Sequence, residues 1–334
     1  MGPLTRRALL TRVRATSDPG DETRADATWL RVHRTAMACR VEVVLPGEDA
    51  RFLQAAREAL DEADRLEAML SVFRETSDLS RVNREAAHHP VDVPSELFAV
   101  LRRSQELHKR TEGTFDISST PYSRCWGFMR RTGRLPEPAD LDAARACVGL
   151  HRVVLDARAQ SVLFAQAGVE LNLNAIGKGY VLDRMTARLR DRGVARALVS
   201  AGRSSVVAIG GARREWSVEL RSLVRDEIIG RLHLRDGALG TSGAGEQFFE
   251  VNGVRYGHVI DPRTGWPSSG TRAASVVTST GADADALSTA FLVGGVEIAR
   301  RYCETHANVL AVITPEDGRP QVFGSYRGVS VMLA

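Results

Sequence analysis

Four cysteines, Cys39, Cys125, Cys147 and Cys303, are all that these 334 residues contain. They are widely separated and none forms a C-x-x-C pair. A disulfide framework or a thiolate zinc site is therefore not expected, and reduced thiols in a cytoplasmic protein are. No apolar run approaches the length of a membrane span. No tandem repeat or low-complexity segment stands out, which sets aside solenoids and repeat arrays. No G-x-x-x-x-G-K-S/T loop occurs, so this is not a Walker A protein. A large charge excess is missing too. Basic residues number 45 and acidic 41, a formal net charge of +4. The charges are mixed along the chain, read as a solvated basic surface, and give no reason to expect nucleic acid.

The segment Thr5-Arg6-Arg7-Ala8-Leu9-Leu10 starts like a twin-arginine export signal. Arg12 and Arg14 interrupt its apolar stretch at once, Asp18, Asp21 and Glu22 follow, and no lipobox-like cysteine comes after. Residues 1–27 are expected to be a polar, disordered leader. Residues 28–334 are expected to form one domain of two intimately packed lobes, because 43% hydrophobic residues suffice for a sizeable core.

Periodicity predicts the elements. Met37–Leu45 alternates as a strand, and Phe52–Leu70 carries apolar residues on one helical face. A second helix starts near Pro94-Ser95-Glu96, with Ser95 as a cap, and ends at Gly113. Leu141–Cys147 is a short helix. Strands are expected at Val153–Leu155, Ser161–Phe164, Val169–Leu173, Ala197–Ser200, Ser205–Ile209, Trp216–Leu220, Glu227–Leu234 and Ala274–Thr278. Asn252-Gly253 predicts a hairpin between Phe248–Val251 and Val254–Val259. Lys178–Asp191 is an amphipathic helix closed by Gly193. Asp283–Val293 and Val296–His306 are helices meeting at Gly294-Gly295, and late strands follow at Val309–Ile313, Gln321–Phe323 and Gly328–Leu333. Runs of strands interrupted by helices indicate an α+β fold with largely antiparallel sheets flanked by helices.

Three segments could carry chemistry. Between Leu171 and Asp183 a strand ends in a small-residue turn and a helix begins at Lys178. Such a turn lets backbone groups approach an anion, and a tight helix start alone would also explain it. Thr241-Ser242-Gly243, with Arg255 to Gly265, puts His258 inside a strand before an Asp-Pro-Arg-Thr-Gly turn. A structural hairpin end with a satisfied histidine is the other reading. In Asp283-Ala284-Asp285-Ala286-Leu287-Ser288-Thr289, Asp285 and Thr289 share a helical face, and carboxylate plus hydroxyl suits a hard cation such as Mg²⁺. Asp283 is either a competing ligand or the helix cap.

Taken together these segments resemble the ApbE family, the FAD:protein FMN transferases. Ser71–Asn83 is similar to the family's S-x-Y/F…S-E/D-L-S-R-x-N stretch, and Gly113-Thr114-Phe115-Asp116 with Trp126-Gly127-Phe128 to its G-x-F-D…W-G-F stretch. The A-I-x-K-G-Y-x-x-D, T-S-G, H-x-I-D-P-x-T-G and D-A-x-x-T-A elements follow in order. The match spans roughly Met37 to Phe323.

This resemblance implies an ApbE-like, T-fold-like architecture and a Mg²⁺-dependent enzyme with FAD as substrate. FMN would be joined through a phosphoester to a Thr or Ser of a target protein, and AMP released. Asp285, Thr289 and the Ala175 carbonyl would hold Mg²⁺. Met37 and Phe73 would line the flavin or adenine region, while Thr114, Phe115, Asp116, Lys178, Asn172 and Val259 would help hold the dinucleotide. His258 would act as a base or positioning group, with Asp285 beside the reaction.

The chain departs from the family pattern twice. Many relatives have Asp where Asn172 stands, and Gly-Gly-Asp where Gly202-Arg203-Ser204 stands. Arg203 could reach a phosphate or crowd the site. Family acceptors resemble S/T-G-A-S/T. Ser242-Gly243-Ala244-Gly245 lacks the final hydroxyl, so a separate acceptor protein is expected. The alternatives are a Mg²⁺-dependent FAD pyrophosphatase, a non-catalytic flavin-binding module and a scaffold with a degenerate site.

Overall fold

The computed structural model describes residues 12–15, 29–210, 216–221, 228–245, 247–327 and 329–333. The expected leader, 1–27, lies outside these residues except for Arg12–Ala15, a strand paired antiparallel with Trp216–Arg221.

An eight-stranded sheet runs through the centre in the spatial order Gln321–Ser325, Val309–Pro315, Thr271–Thr278, Ala238–Gly243, Ser205–Ile209, Ala197–Ala201, Cys39–Pro46 and Trp29–Ala36. All of its pairings are antiparallel. The fold is α+β with largely antiparallel sheets, as the strand and helix pattern predicts. Successive residues of the inner strands enter different cores. Val41, Val43, Leu45, Val199, Val207 and Ile209 belong to the main core, while Val44, Leu198, Val206 and Ala208 belong to a second one on the opposite face. A sheet covered on both faces cannot show the polar alternation of a half-exposed strand, which is why these segments read as near-continuous apolar runs.

The main core is roofed by helices α1 (Leu53–Leu70), α2 (Asp78–Glu85), α3 (Ser95–Arg110), α6 (Gly177–Asp191) and α7 (Gly281–Thr305). The second core lies under a four-stranded sheet of Arg12–Ala15, Trp216–Arg221, Ile228–Leu234 and Ser330–Leu333. A third, smaller core joins α4 (Thr120–Cys125) and α5 (Pro138–Cys147) to the hairpin Phe248–Val251/Val254–Gly257. There Trp126 is fully buried, and its indole N–H donates to the Gly265 carbonyl at 2.8 Å.

Several elements differ from expectation for identifiable reasons. Ser95 does not cap α3. It is the first helical residue, and Pro94 (φ −55°, ψ 145°) precedes it without a side-chain cap bond. Helix α2 is capped by Ser77, whose Oγ accepts the Ser80 N–H at 3.0 Å; its short amphipathic face gives little periodic signal. Val169–Leu173 is extended but not a strand. In place of a neighbouring strand, the Asn83 side chain on α2 accepts the Leu171 N–H at 2.8 Å and donates to its carbonyl at 2.9 Å, while the Asn172 N–H donates to the Ile117 carbonyl at 2.8 Å. Strand Val254–Gly257 stops short of His258. The two expected C-terminal helices form one element broken at Gly295, whose φ of 67° and ψ of −163° are open to glycine.

Helices α6 and α7 are tied end to flank by Asp183. Its carboxylate accepts the Gly281 N–H at 2.6 Å and the Ala282 N–H at 3.0 Å, two otherwise orphan donors of the α7 N-terminus. Burial pushes the Asp183 carboxyl up to about 6, against the pull of these two N–H groups. A carboxyl raised above its unfolded value binds protons more readily in the folded state, so stability is fullest below the ordinary aspartate range and falls as pH rises toward 6. Urea unfolding of wild type should show this fall between about pH 4 and pH 6, the window set by the shift. Asp183→Asn should remove that slope.

Candidate functional site

Asp285 sits in the first turns of α7, 6% exposed, beneath the start of α6. Backbones converge here because side chains are missing. A Cβ on Gly179 would lie 1.9 Å from the Gly281 carbonyl oxygen, and one on Gly240 would lie 2.3 Å from that of Ala284. The close approach lets the Gly179 N–H reach Asp285 Oδ2 at 2.6 Å. In a helix continued backward, this N–H would pair with the Ala175 carbonyl; given to Asp285, it leaves that carbonyl available to another partner.

The other carboxylate oxygen, Oδ1, accepts from Ser205 Oγ at 2.7 Å. Ser205 is 3.3 Å from Ser204, and Ser204 is bonded to the Lys178 ammonium. An ammonium only donates and a carboxylate only accepts, so the chain is directed from Lys178 through Ser204 and Ser205 to Asp285. Burial pushes the Asp285 carboxyl up, while Lys178, Ser205 and the Gly179 N–H draw it back. Thr289 Oγ1 lies 3.1 Å from Ser242 Oγ and 3.3 Å from the Asp285 carbonyl. Lys178, Asp285 and Thr289 are thus brought into one network with the Thr-Ser-Gly strand.

Asp283 is neither the cap nor part of this network. Thr280 caps α7, accepting the Asp283 N–H at 3.3 Å, and Asp283 forms a bidentate pair with Arg103 of α3 at 2.7 Å for both contacts.

The donors around Asp285 fit a hard cation. Among the described residues no cluster of three or more His, Cys, Asp or Glu could hold a metal. A cation here would have Asp285 as its carboxylate, with Thr289 and the Ala175 carbonyl as further oxygens. That all-oxygen set suits Mg²⁺, which completes its shell with phosphate and water. Cys39 is near enough to feel both Lys178 and Asp285, and burial pushes its thiol up.

The remaining expected residues surround this network at different depths. Met37 lies in the left-handed two-residue turn before Cys39–Pro46, with φ 52°, and its terminal methyl would be 3.7 Å from a Cβ on Gly177. That places it at the start of α6. Phe73 is 69% exposed in the turn after α1. Asn172 Oδ1 accepts the Asn174 N–H at 2.9 Å, closing the turn before α6. Thr114 and Phe115 are both 1% exposed, and the Thr114 hydroxyl donates to the Thr111 carbonyl at 2.8 Å. Asp116 accepts both the N–H and the hydroxyl of Ser118, at 2.7 and 2.6 Å, with His108 Nδ1 3.4 Å from its other oxygen. No hydrogen bond joins Phe73 or Thr114–Asp116 to the Asp285 network among the described residues.

His258 stands half-buried just past its strand. Its N–H donates to the Gln247 carbonyl at 3.0 Å, and Nδ1 is 3.2 Å from the same oxygen. A carbonyl only accepts, so this contact uses a proton on Nδ1. A Cβ on Gly257 would be 3.3 Å from the Ala244 carbonyl, which makes the His258 segment a neighbour of the strand end that carries Ser242. Val259, half-buried, packs against the main core and accepts the Ser268 N–H at 2.8 Å. A surface cleft of about 530 Å³, lined by Glu58, Asp61, Glu62, Arg65, Arg188 and Arg192, opens at the far end of α6 from Lys178 and takes no part in this network.

The sequence model of the ApbE family matches residues 37–314. The chain belongs to the ApbE family. Among its relatives, the FAD:protein FMN transferase of Klebsiella pneumoniae is 31% identical over 236 residues, 70% of this chain and 73% of that protein. The FAD:protein FMN transferase of Treponema pallidum is 32% identical over 279 residues, 78% of this chain and 76% of the other. The crystal structure of the ApbE protein from Thermotoga maritima superposes with a TM-score of 0.81 at 26% identity, covering 89% of this chain and 97% of that one.

Within this ApbE chain, both departures from the motif pattern have a visible outcome. Asn172 still closes its turn through Oδ1. Gly202 adopts φ 62°, and Arg203 is exposed. Ser204 and Ser205, which link Lys178 to Asp285, carry no sequence signal of that role beyond their place in a motif turn.

Proposed function

We propose that this ApbE chain is a Mg²⁺-dependent FAD:protein FMN transferase that joins FMN to a Thr or Ser hydroxyl of a separate protein. The observation that carries the reading is the buried Asp285, which accepts from Gly179 and Ser205, is linked through two serines to Lys178, and lies one helical turn from Thr289. The names borne by its relatives supply the reaction class.

Bound there, Mg²⁺ would neutralise pyrophosphate charge as it moves onto the leaving group. Lys178 and the α6 N-terminus orient the FAD phosphates, since both offer positive charge to an anion. Met37 and Phe73 hold the ring systems, and Asn172, Val259 and the Thr114–Asp116 segment shape the remaining wall. Because Thr114 and Phe115 face inward, their contribution is to set the backbone and Asp116. The acceptor hydroxyl attacks the FMN phosphorus. A P–O bond to the acceptor forms, the P–O bond to AMP breaks, and AMP leaves with the electron pair. The His258 ring takes the hydroxyl proton.

The test is to incubate the purified chain with FAD and MgCl₂, with and without an S-G-A-T peptide, following AMP release and peptide mass. AMP together with an FMN-sized gain on the peptide supports the transferase. AMP and free FMN with an unmodified peptide would replace it by a pyrophosphatase, and tight FAD binding without AMP by a binding module. His258→Gln should lower kcat for transfer by about 10²- to 10⁴-fold, with KM for FAD little changed, as expected for loss of a general base. Steady-state kinetics over a range of FAD concentrations would check this. Wild-type kcat in the variant would remove His258 from the proton-transfer step.

A further inference from the structure

The hydroxyl protons around Thr289 can be assigned by counting donors. Ser288 Oγ is 2.8 Å from the Asp285 carbonyl, which can only accept, so the Ser288 proton is directed there. Ser242 Oγ lies 2.8 Å from Ser288 Oγ. With the Ser288 proton already placed, that contact is made by the proton of Ser242. Ser242 Oγ is also 3.1 Å from Thr289 Oγ1. Its single proton is in use, so Thr289 is the donor in this contact. The second neighbour of Thr289, the Asp285 carbonyl at 3.3 Å, also can only accept. Among the described residues, both contacts of the Thr289 hydroxyl therefore draw its proton inward. The residue is half-buried, and a hydroxyl whose proton is spent keeps its lone pairs for an electron-pair acceptor.

We infer that Ser242 and Ser288 are positioning residues that hold the Thr289 hydroxyl as an electron-pair donor for the bound cation. This rests on the metal reading above. A free hydroxyl can turn its proton toward a cation and repel it, whereas one whose proton is fixed by a second layer of groups cannot. Ser288 is 1% exposed, and its hydroxyl meets Ser242 and the Asp285 backbone carbonyl but none of the proposed ligand oxygens, so its effect on metal binding would be transmitted through the proton order. In Ser288→Ala the Ser242 proton loses its acceptor and can turn to Thr289, occupying the lone pair that a metal would use.

MnCl₂ titration of the full chain, with free Mn²⁺ read by electron paramagnetic resonance, tests this without recourse to turnover. Wild type should bind one Mn²⁺, and Thr289→Val and Asp285→Asn should lose it. Ser288→Ala and Ser242→Ala should each bind about 10-fold more weakly, and Ser242→Thr, which keeps the hydroxyl, should bind like wild type. Wild-type Mn²⁺ affinity in both alanine variants, with loss in Thr289→Val, would overturn the proton-ordering role and leave the metal site standing. Unaltered binding in Thr289→Val and Asp285→Asn, or none in wild type, would overturn the metal reading itself. If Ser288→Ala does not fold, as judged by circular dichroism, the Ser242 pair decides.

Discussion

Asp285→Asn should lower FMN transfer and AMP release by about 10³-fold or more, because it removes the carboxylate from the proposed cation site while keeping side-chain shape. The variant should stay folded. Neutralising a carboxyl that burial already pushes up relieves the burden of a desolvated charge. Against that, the new amide has one acceptor oxygen for two donors, the Gly179 N–H and the Ser205 hydroxyl. Ser205 can rotate to donate elsewhere, whereas the backbone N–H cannot, so the amide oxygen should settle on Gly179. The net change in stability should be within about 2 kcal/mol, the scale of one compromised buried hydrogen bond. AMP release by chromatography, alongside a thermal melt, separates the two effects. Full activity in a folded Asp285→Asn would remove the carboxylate from the reaction; unfolding would recast it as a structural group.

The second large effect is expected at Gly179. Alanine there would put its Cβ 1.9 Å from the Gly281 carbonyl oxygen and 2.2 Å from the carbonyl carbon. Both atoms are backbone and cannot rotate away, so α6 and α7 must move apart. Gly179→Ala should therefore destabilise the fold by about 3 kcal/mol or more, the upper range for overpacking. The same movement stretches the Gly179–Asp285 contact, so whatever protein folds should also be less active. Gly193→Ala is the comparison. No atom lies within 4 Å of a Cβ there, but φ is 80°, so its cost should be about 1 kcal/mol, from left-handed backbone alone. Urea unfolding midpoints check both. Equal losses at the two positions would mean that the helix contact yields easily and that the close approach is not what holds Asp285 in place.

Much of this was legible in the residues. The apolar face of α1, the break at Gly294-Gly295 and the Asn252-Gly253 hairpin are local signals, each set by neighbours a few positions away. The Asp285–Thr289 pair is legible for the same reason, since four residues on a helix share a face. Asp283 shows where such reading stops. Its closeness to the helix start fits a cap or a ligand equally well, and its partner Arg103 is 180 positions away. Likewise Ser205 and Gly179 reach Asp285 across 80 and 106 positions. Residues 169–173 look like a strand because apolar Val169, Leu171 and Leu173 alternate with polar residues, but their backbone is held by a side chain, Asn83, from 88 positions before Leu171 and by the single Ile117 carbonyl rather than by a strand.

The sequence by itself determined the α+β class, the antiparallel character, most helices and the residue types at the proposed site, because periodicity and turn chemistry act over a few residues. Only the tertiary structure decided that the central sheet is covered on both faces, that Lys178 reaches Asp285 through two serines, and that Thr114 and Phe115 point inward. Those facts depend on which distant backbones can approach closely, and here that was decided where glycines at 179, 240 and 281 let two helices and a strand meet.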